Sequence, residues 1–98
     1  MITSQLHPTL CVAVTAPGYE HCQTLVLDCP VCRQQFSIQV HEGLPDMVRR
    51  IWQLKQPPGN SSWAAVSIYP SIQEHPQARN VAKCNAHFSI DAGQVVLH

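Results

Sequence analysis

The sequence predicts a small β-rich domain of the α+β class, with antiparallel hairpins gathered around one zinc ion and one inserted helix near residues 46–55. Three observations carry that expectation. Short runs alternate apolar and polar residues with a period of two. Cys29-Pro30-Val31-Cys32 and Cys84-Asn85-Ala86-His87 each place a pair of good zinc ligands two residues apart. One stretch between them, after Pro45, changes to helical spacing. Residues 1–98 are expected to form a single zinc-binding domain, because a chain of 98 residues is too short for two cores.

The elements follow in order. Leu10, Val12 and Val14 alternate with Cys11, Ala13 and Thr15, a strand pattern that ends at the Pro17-Gly18 turn. A second apolar run, Thr24 to Leu27, leads into Cys29. Phe36, Ile38 and Val40 alternate with Gln35, Ser37 and Gln39, a half-buried strand. Strand, Cys-x-x-Cys, strand is a hairpin whose tip carries two ligands. Pro30 suits that tip because it presets φ and needs no ladder donor. Met47, Ile51 and Leu54 then recur at helical spacing, with Pro45 at the first helical position and Pro57-Pro58-Gly59 as the stop. Trp63 to Tyr69 reads as a strand ending at Tyr69-Pro70-Ser71, and residues 73–83 as a polar loop. Phe88 and Ile90 alternate with His87 and Ser89, Ala92-Gly93 turns the chain, and Val95 and Leu97 close a hairpin. Two hairpins thus bring Cys29, Cys32, Cys84 and His87 to one Zn²⁺. The arrangement is zinc-ribbon-like, with more structure between the pairs than a minimal ribbon has.

Three thiolates and one imidazole fill a tetrahedral zinc shell. Structural zinc binding contributes on the order of 10 kcal/mol or more, against a typical folding stability of about 5–15 kcal/mol. A chain of this size buries a limited core, so the fold is expected to depend on the metal. The rival for Cys29 and Cys32 is a redox pair. That motif wants its first thiol at a helix start, whereas strands flank this one.

Bulk properties exclude several classes. Hydrophobic residues make up 45% of the chain and charged ones 12%, which is not the composition of a disordered segment. Six basic and six acidic side chains balance, and Arg49-Arg50 is the only adjacent basic pair, so nucleic acid is disfavoured as a partner. No run is long enough to span a membrane. The opening residues Met1 to Gln5 lack a basic, apolar leader, and five cysteines cannot all pair, so a cytoplasmic setting is expected.

A closed four-ligand shell leaves no water to activate, which favours structural zinc. Catalytic zinc would need one ligand to be displaceable and a base nearby; Asp28, Glu74, His75 and Asp91 are the candidates. Asp28 adjoins Cys29 and Asp91 lies on the His87 strand, which puts these two first. His41-Glu42-Gly43-Leu44-Pro45 lacks the second histidine of a zincin, and no His-x-Glu of a zinc deaminase occurs. Ser71 qualifies as a nucleophile only with a base beside it, and otherwise reads as a turn hydroxyl. Tyr19-Glu20-His21-Cys22 is a second cluster of potential ligands, with His21 able to replace one of the four. Cys11 reads as a core or back-face thiol, Cys22 as a strand cysteine, and Trp52 and Trp63 as packing residues.

In order along the chain stand Cys29-Pro30-Val31-Cys32, Tyr69-Pro70-Ser71-Ile72, Cys84-Asn85-Ala86-His87-Phe88-Ser89-Ile90 and Gly93-Gln94-Val95-Val96. This series resembles a family of small, formerly uncharacterised bacterial and phage proteins, over roughly residues 24–98. Some members of that family sit in bacterial operons for ubiquitin-like conjugation, beside enzymes that resemble E1, E2 and deubiquitinating peptidases. The resemblance implies a peptidase that trims or removes a ubiquitin-like protein, with Cys29, Cys32, Cys84 and His87 on zinc and Pro70, Ser71 and Ile72 beside the site. Two positions depart from the family pattern. Arg33-Gln34-Gln35 stands where glycine and a further cysteine are common, and Leu27-Asp28 where a histidine often precedes the knuckle. Two functions are therefore expected in competition. One is a zinc-dependent peptidase acting on a ubiquitin-like protein. The other is a non-catalytic zinc module that binds a protein partner, including a phage-encoded anti-defence role.

Overall fold

The computed structural model describes residues 1–12, 17–59, 62–73 and 86–98. Seven strands form one sheet in chain order: β1 (Thr9–Val12), β2 (Gln23–Asp28), β3 (Gln35–His41), β4 (Ile51–Lys55), β5 (Ser67–Ile72), β6 (Phe88–Asp91) and β7 (Gln94–Leu97). Every neighbouring pair is antiparallel except β3 and β4, which run parallel. The sheet curls toward closure. Met1 to Thr3 lies along β7, with Val95 N–H donating to Met1 O at 2.9 Å and Thr3 N–H to Gly93 O at 2.9 Å. A short 3-10 helix, Thr3–Leu6, then leads round to β1.

Alternation decides which face is core. Leu25 and Leu27 of β2, Phe36, Ile38 and Val40 of β3, Ile68 and Ile72 of β5, and Phe88 and Ile90 of β6 all point inward and are buried. Leu6 and Val66 plug the inside, and the rings of Phe36 and Phe88 meet edge to face, with centroids 6.3 Å apart. The intervening residues face outward, and that outer face of β5, β6 and β7 carries the polar side chains considered below.

The β2–β3 hairpin stands as the sequence predicts, with Cys29 to Cys32 at its tip. There Cys29 N–H donates to Gln34 O at 2.8 Å and Arg33 N–H to Cys29 O at 3.0 Å, while Arg33 takes a left-handed φ of 65°. Cys29 is buried and Cys32 partly so. Cys11, on β1, is exposed, and Cys22 is buried in the turn just before β2.

The helix expected near residues 46–55 does not form, and no α-helix occurs among the described residues. Asp46 and Ile51 instead exchange backbone hydrogen bonds at 2.9 and 2.8 Å around a turn at 47–50, in which Arg50 has φ 56°. Ile51–Lys55 is then a strand inside the sheet. Trp52 and Leu54 point into the core, while Gln53 is half-buried and Lys55 exposed on the other face, where Ile51 is buried at the start of the strand. In so short a strand the adjacent buried pair Ile51 and Trp52 obscures the period of two, and Met47, Ile51 and Leu54 fall at helical spacing. Met47, which completed the helical stripe, is exposed.

The strand expected over Trp63–Tyr69 is also shifted. Trp63–Ala65 is a 3-10 turn, in which Ala64 N–H donates to the Ser62 hydroxyl at 3.1 Å, and β5 starts only at Ser67. β5 then runs through Tyr69-Pro70, a cis peptide, to Ile72. Most of the loop expected over residues 73–83 lies outside the described residues.

Candidate active site

The pairing of β5 with β6 is irregular, and the irregularity builds the site. Ile68 sits opposite Ile90 and Ile72 opposite Phe88. Between those pairs β5 spends three residues, Tyr69, Pro70 and Ser71, against the single Ser89 of β6. Such a bulge leaves the extra residues unpaired and re-aims their side chains. Ser71 is thereby turned outward beside His87, the residue before β6. Ser71 Oγ and His87 Nε2 are 2.6 Å apart, and both side chains are partly buried. The backbone of Ser71 is held from within the core, where Trp52 Nε1–H donates to Ser71 O at 3.3 Å.

His87 is fixed from its other side by the end of β7. Phe88 pairs with Leu97, so His98 comes to lie opposite His87, and His98 N–H donates to His87 O at 2.8 Å. The two imidazoles pack with centroids 4.7 Å apart and planes tilted by 39°. His98 Nε2 is 2.5 Å from Ser89 Oγ. Two serine–histidine pairs therefore stand side by side on the outer face.

The other candidate residues lie elsewhere. Asp28, at the end of β2, pairs with His7, whose Nδ1 is 2.9 Å from Asp28 Oδ2. Asp91 is four residues beyond His87, at the far end of β6, about 13 Å along an extended strand. Its partners are the Ser67 and Tyr69 hydroxyls, which donate to Oδ1 over 3.4 and 3.5 Å. Glu74, His75 and Cys84 lie outside the described residues. Pro70 and Ile72 flank Ser71 on β5, Pro70 exposed and Ile72 fully buried.

The zinc set is only partly visible. Among the described residues, no three His, Cys, Asp or Glu side chains converge as a group that could hold a metal ion. Cys84, the fourth ligand expected from the sequence, is not among those residues. His21 and Cys22 belong to a different region, a concavity of about 180 Å³ that also involves Glu20, His41 and Arg49. There Glu20 accepts from Gly18 N–H at 3.1 Å, and backbone hydrogen bonding holds its carboxyl below the usual range. Burial pushes the Cys22 thiol up.

The Ser71–His87 pairing was not evident in the sequence, because residues 71 and 87 are far apart and His87 also completes a zinc shell on paper. A signal did exist for the rest. Period-two alternation turns His87 and Ser89 outward together, and the tight Ala92-Gly93 turn brings residue 98 back opposite residue 87.

A serine hydroxyl within hydrogen-bond reach of a histidine nitrogen, with that histidine held by a further group, is the geometry that a nucleophile and its base require. A family model described as a bacterial ubiquitination-like system serine protease (BubE) matches residues 3–98, and the chain belongs to that family. The family is one of proteases in bacterial ubiquitination-like systems. No curated protein matches the chain, and no solved structure does. Among the described residues, no helix is long and apolar enough to cross a membrane.

Proposed function

We propose that this protein is a serine peptidase of a bacterial ubiquitination-like pathway, with Ser71 as nucleophile and His87 as general base. The contact of 2.6 Å between Ser71 Oγ and His87 Nε2 carries the reading. The chemistry needs the tautomer with its proton on Nδ1, so that Nε2 accepts from the Ser71 hydroxyl. Oγ attacks the scissile carbonyl as Nε2 takes its proton. The His87 imidazolium then protonates the leaving amine, the C–N bond breaks, and an ester to Ser71 remains. Water attacks the ester, giving its proton to His87, and Oγ recovers a proton as the carboxylate product leaves. The acid–base step alone contributes about 10²–10⁴-fold.

The substrate we assign is the tail of a ubiquitin-like protein, either extended beyond its mature end or joined to a target amine. An open sheet face suits an extended tail. Tyr69 projects on the same side as Ser71, two residues away, and borders a shallow concavity of about 320 Å³ with Lys55, Pro57, Pro58 and Ala92. Its lining is largely apolar and would take side chains of the tail.

For zinc we propose a structural role, which replaces zinc-centred hydrolysis in our reading. The donor chemistry of Cys29 and Cys32 at a hairpin tip suits a knuckle, and Cys84 is the third thiolate of the chain's paired motif. Asp28, Glu74 and Asp91 are then not catalytic bases. A non-catalytic module remains the competing reading, and a fluorophosphonate reagent separates the two. Stoichiometric phosphonylation at Ser71, read by intact mass and peptide mapping, is the expected result. A wild-type protein that resists the reagent and leaves the extended tail uncut would overturn the peptidase.

A further inference from the structure

We infer that His98, held by Ser89, is a positioning residue for His87. The inference rests on the reading of Ser71 and His87 as nucleophile and base. A general base on an exposed sheet face has a specific problem. Its ring must keep Nε2 aimed at Ser71 Oγ while solvent competes for the same nitrogen, and a half-buried imidazole is free to rotate about χ1 and χ2 unless something blocks it. In serine peptidases a third group answers that need by fixing the orientation of the base. The two carboxylates first considered for catalysis, Asp28 and Asp91, have His7, Ser67 and Tyr69 as partners. What lies against His87 is the His98 ring.

Three contacts fix that ring in turn. Its backbone N–H donates to His87 O at 2.8 Å, which sets the register of the two residues. Its Nε2 meets Ser89 Oγ at 2.5 Å, which sets its rotation. Its face lies 4.7 Å, centroid to centroid, from the His87 ring. Ser89 is the one residue of β6 that faces the β5 bulge, so the element that displaces Ser71 also seats the residue that orients His98. Bulge, base and orienting ring thus form one continuous surface. Ser89–His98 superficially repeats the Ser71–His87 pair. It lies on regularly paired strands, Ser89 opposite Val96, whereas Ser71 is presented by the bulge. We therefore assign Ser89 to orientation and Ser71 to attack.

The test is the rate at which a fluorophosphonate reagent labels Ser71, a reaction in which Oγ bonds to phosphorus, fluoride leaves and His87 takes the proton. Misplacing a catalytic group by about 1 Å costs up to roughly 100-fold. His98→Ala is expected to lower the maximal labelling rate by about 10- to 100-fold while leaving the half-saturating reagent concentration within about twofold. His98→Phe keeps a ring against His87 but loses the bond to Ser89, and is expected to recover part of the loss. Ser89→Ala, which frees His98 to rotate, should fall between. A His98→Ala protein that labels at the wild-type rate overturns the inference, and so does a His98→Phe protein no faster than His98→Ala. Ser71→Ala and His87→Ala, run alongside, keep the two readings apart. If both are silent while His98→Ala is normal, the nucleophile and base stand and the positioning role falls. If Ser71→Ala still labels, at Ser89, the underlying reading falls instead.

Discussion

Replacing His87 by alanine separates catalysis from folding, because the structure predicts very different sizes for the two effects. The side chain is only partly buried and its ring bond is to Ser71, so the stability at stake is that of one hydrogen bond plus a ring contact with His98. A net hydrogen bond contributes about 0.5–1.5 kcal/mol. A ring contact adds about 0.5–1.5 kcal/mol, so the ceiling is about 3 kcal/mol. In a domain of this size each kcal/mol moves Tm by roughly 4–8 °C, so the midpoint should drop by no more than about 24 °C. The protein stays folded at 25 °C against a typical stability of about 5–15 kcal/mol. Activity should fall far more. Loss of a general base costs about 10²–10⁴-fold. At about 1.36 kcal/mol per decade that is ~3–5.5 kcal/mol of transition-state stabilisation. Ser71→Ala should fall at least as far, and the double variant no further than Ser71→Ala alone, because nucleophile and base act as a unit. The assay is release of a fluorogenic amine from the tail of a ubiquitin-like protein, with the thermal midpoint of each variant measured in the same buffer. A His87→Ala protein that is folded and within about threefold of wild type would refute the reasoning.

Other consequences are smaller. Gly93 has φ +81°, and a Cβ there would come 2.2 Å from Ala64 O, so Gly93→Ala should destabilise the fold by several kcal/mol, seen as a large loss of Tm. Asp28→Asn should leave peptidase activity unchanged and cost at most about 1 kcal/mol, since its partner His7 is exposed; a large drop in kcat would restore Asp28 as a base. Burial holds the Cys22 proton to higher pH in the folded than in the unfolded state, so this thiol's contribution to stability is full at neutral pH and declines as pH rises through the ordinary thiol range. Iodoacetamide should accordingly modify exposed Cys11 well before Cys22, as peptide mass mapping at pH 8 would read out.

Where the sequence was informative, one physical signal was clean. β3 and β6 each bury one face, so Phe36, Ile38, Val40, Phe88 and Ile90 alternate with polar neighbours, and their strands could be read directly. β4 could not, because it is only five residues long and buried Ile51 stands next to buried Trp52, which masks the alternation of Trp52 and Leu54 with Gln53 and Lys55. The site was legible as residues and not as geometry. The sequence places Pro70, Ser71 and Ile72 beside the site and reads His87 as a zinc ligand, and it carries no sign of the contact between Ser71 and His87. The deciding feature is the mismatch of three residues against one between β5 and β6. A bulge of that kind changes no hydrophobic pattern, so composition and periodicity do not register it.

The two roles that the chain offers His87 exclude each other. A histidine that binds zinc through Nδ1 must carry its remaining proton on Nε2. It then donates to Ser71 Oγ and cannot take a proton from it. A histidine that binds zinc through Nε2 has no nitrogen left for the serine at 2.6 Å. A base with its proton on Nδ1 is therefore a histidine off the metal, and any zinc held by Cys29, Cys32 and Cys84 must complete its shell with something else. Elemental analysis of the variants decides the matter. His87→Ala, purified without chelator, should keep the zinc content of wild type while losing activity. Cys29→Ser and Cys84→Ser should lose zinc and fall in Tm. If His87→Ala loses zinc together with activity, His87 is a ligand, and Ser71 needs another base.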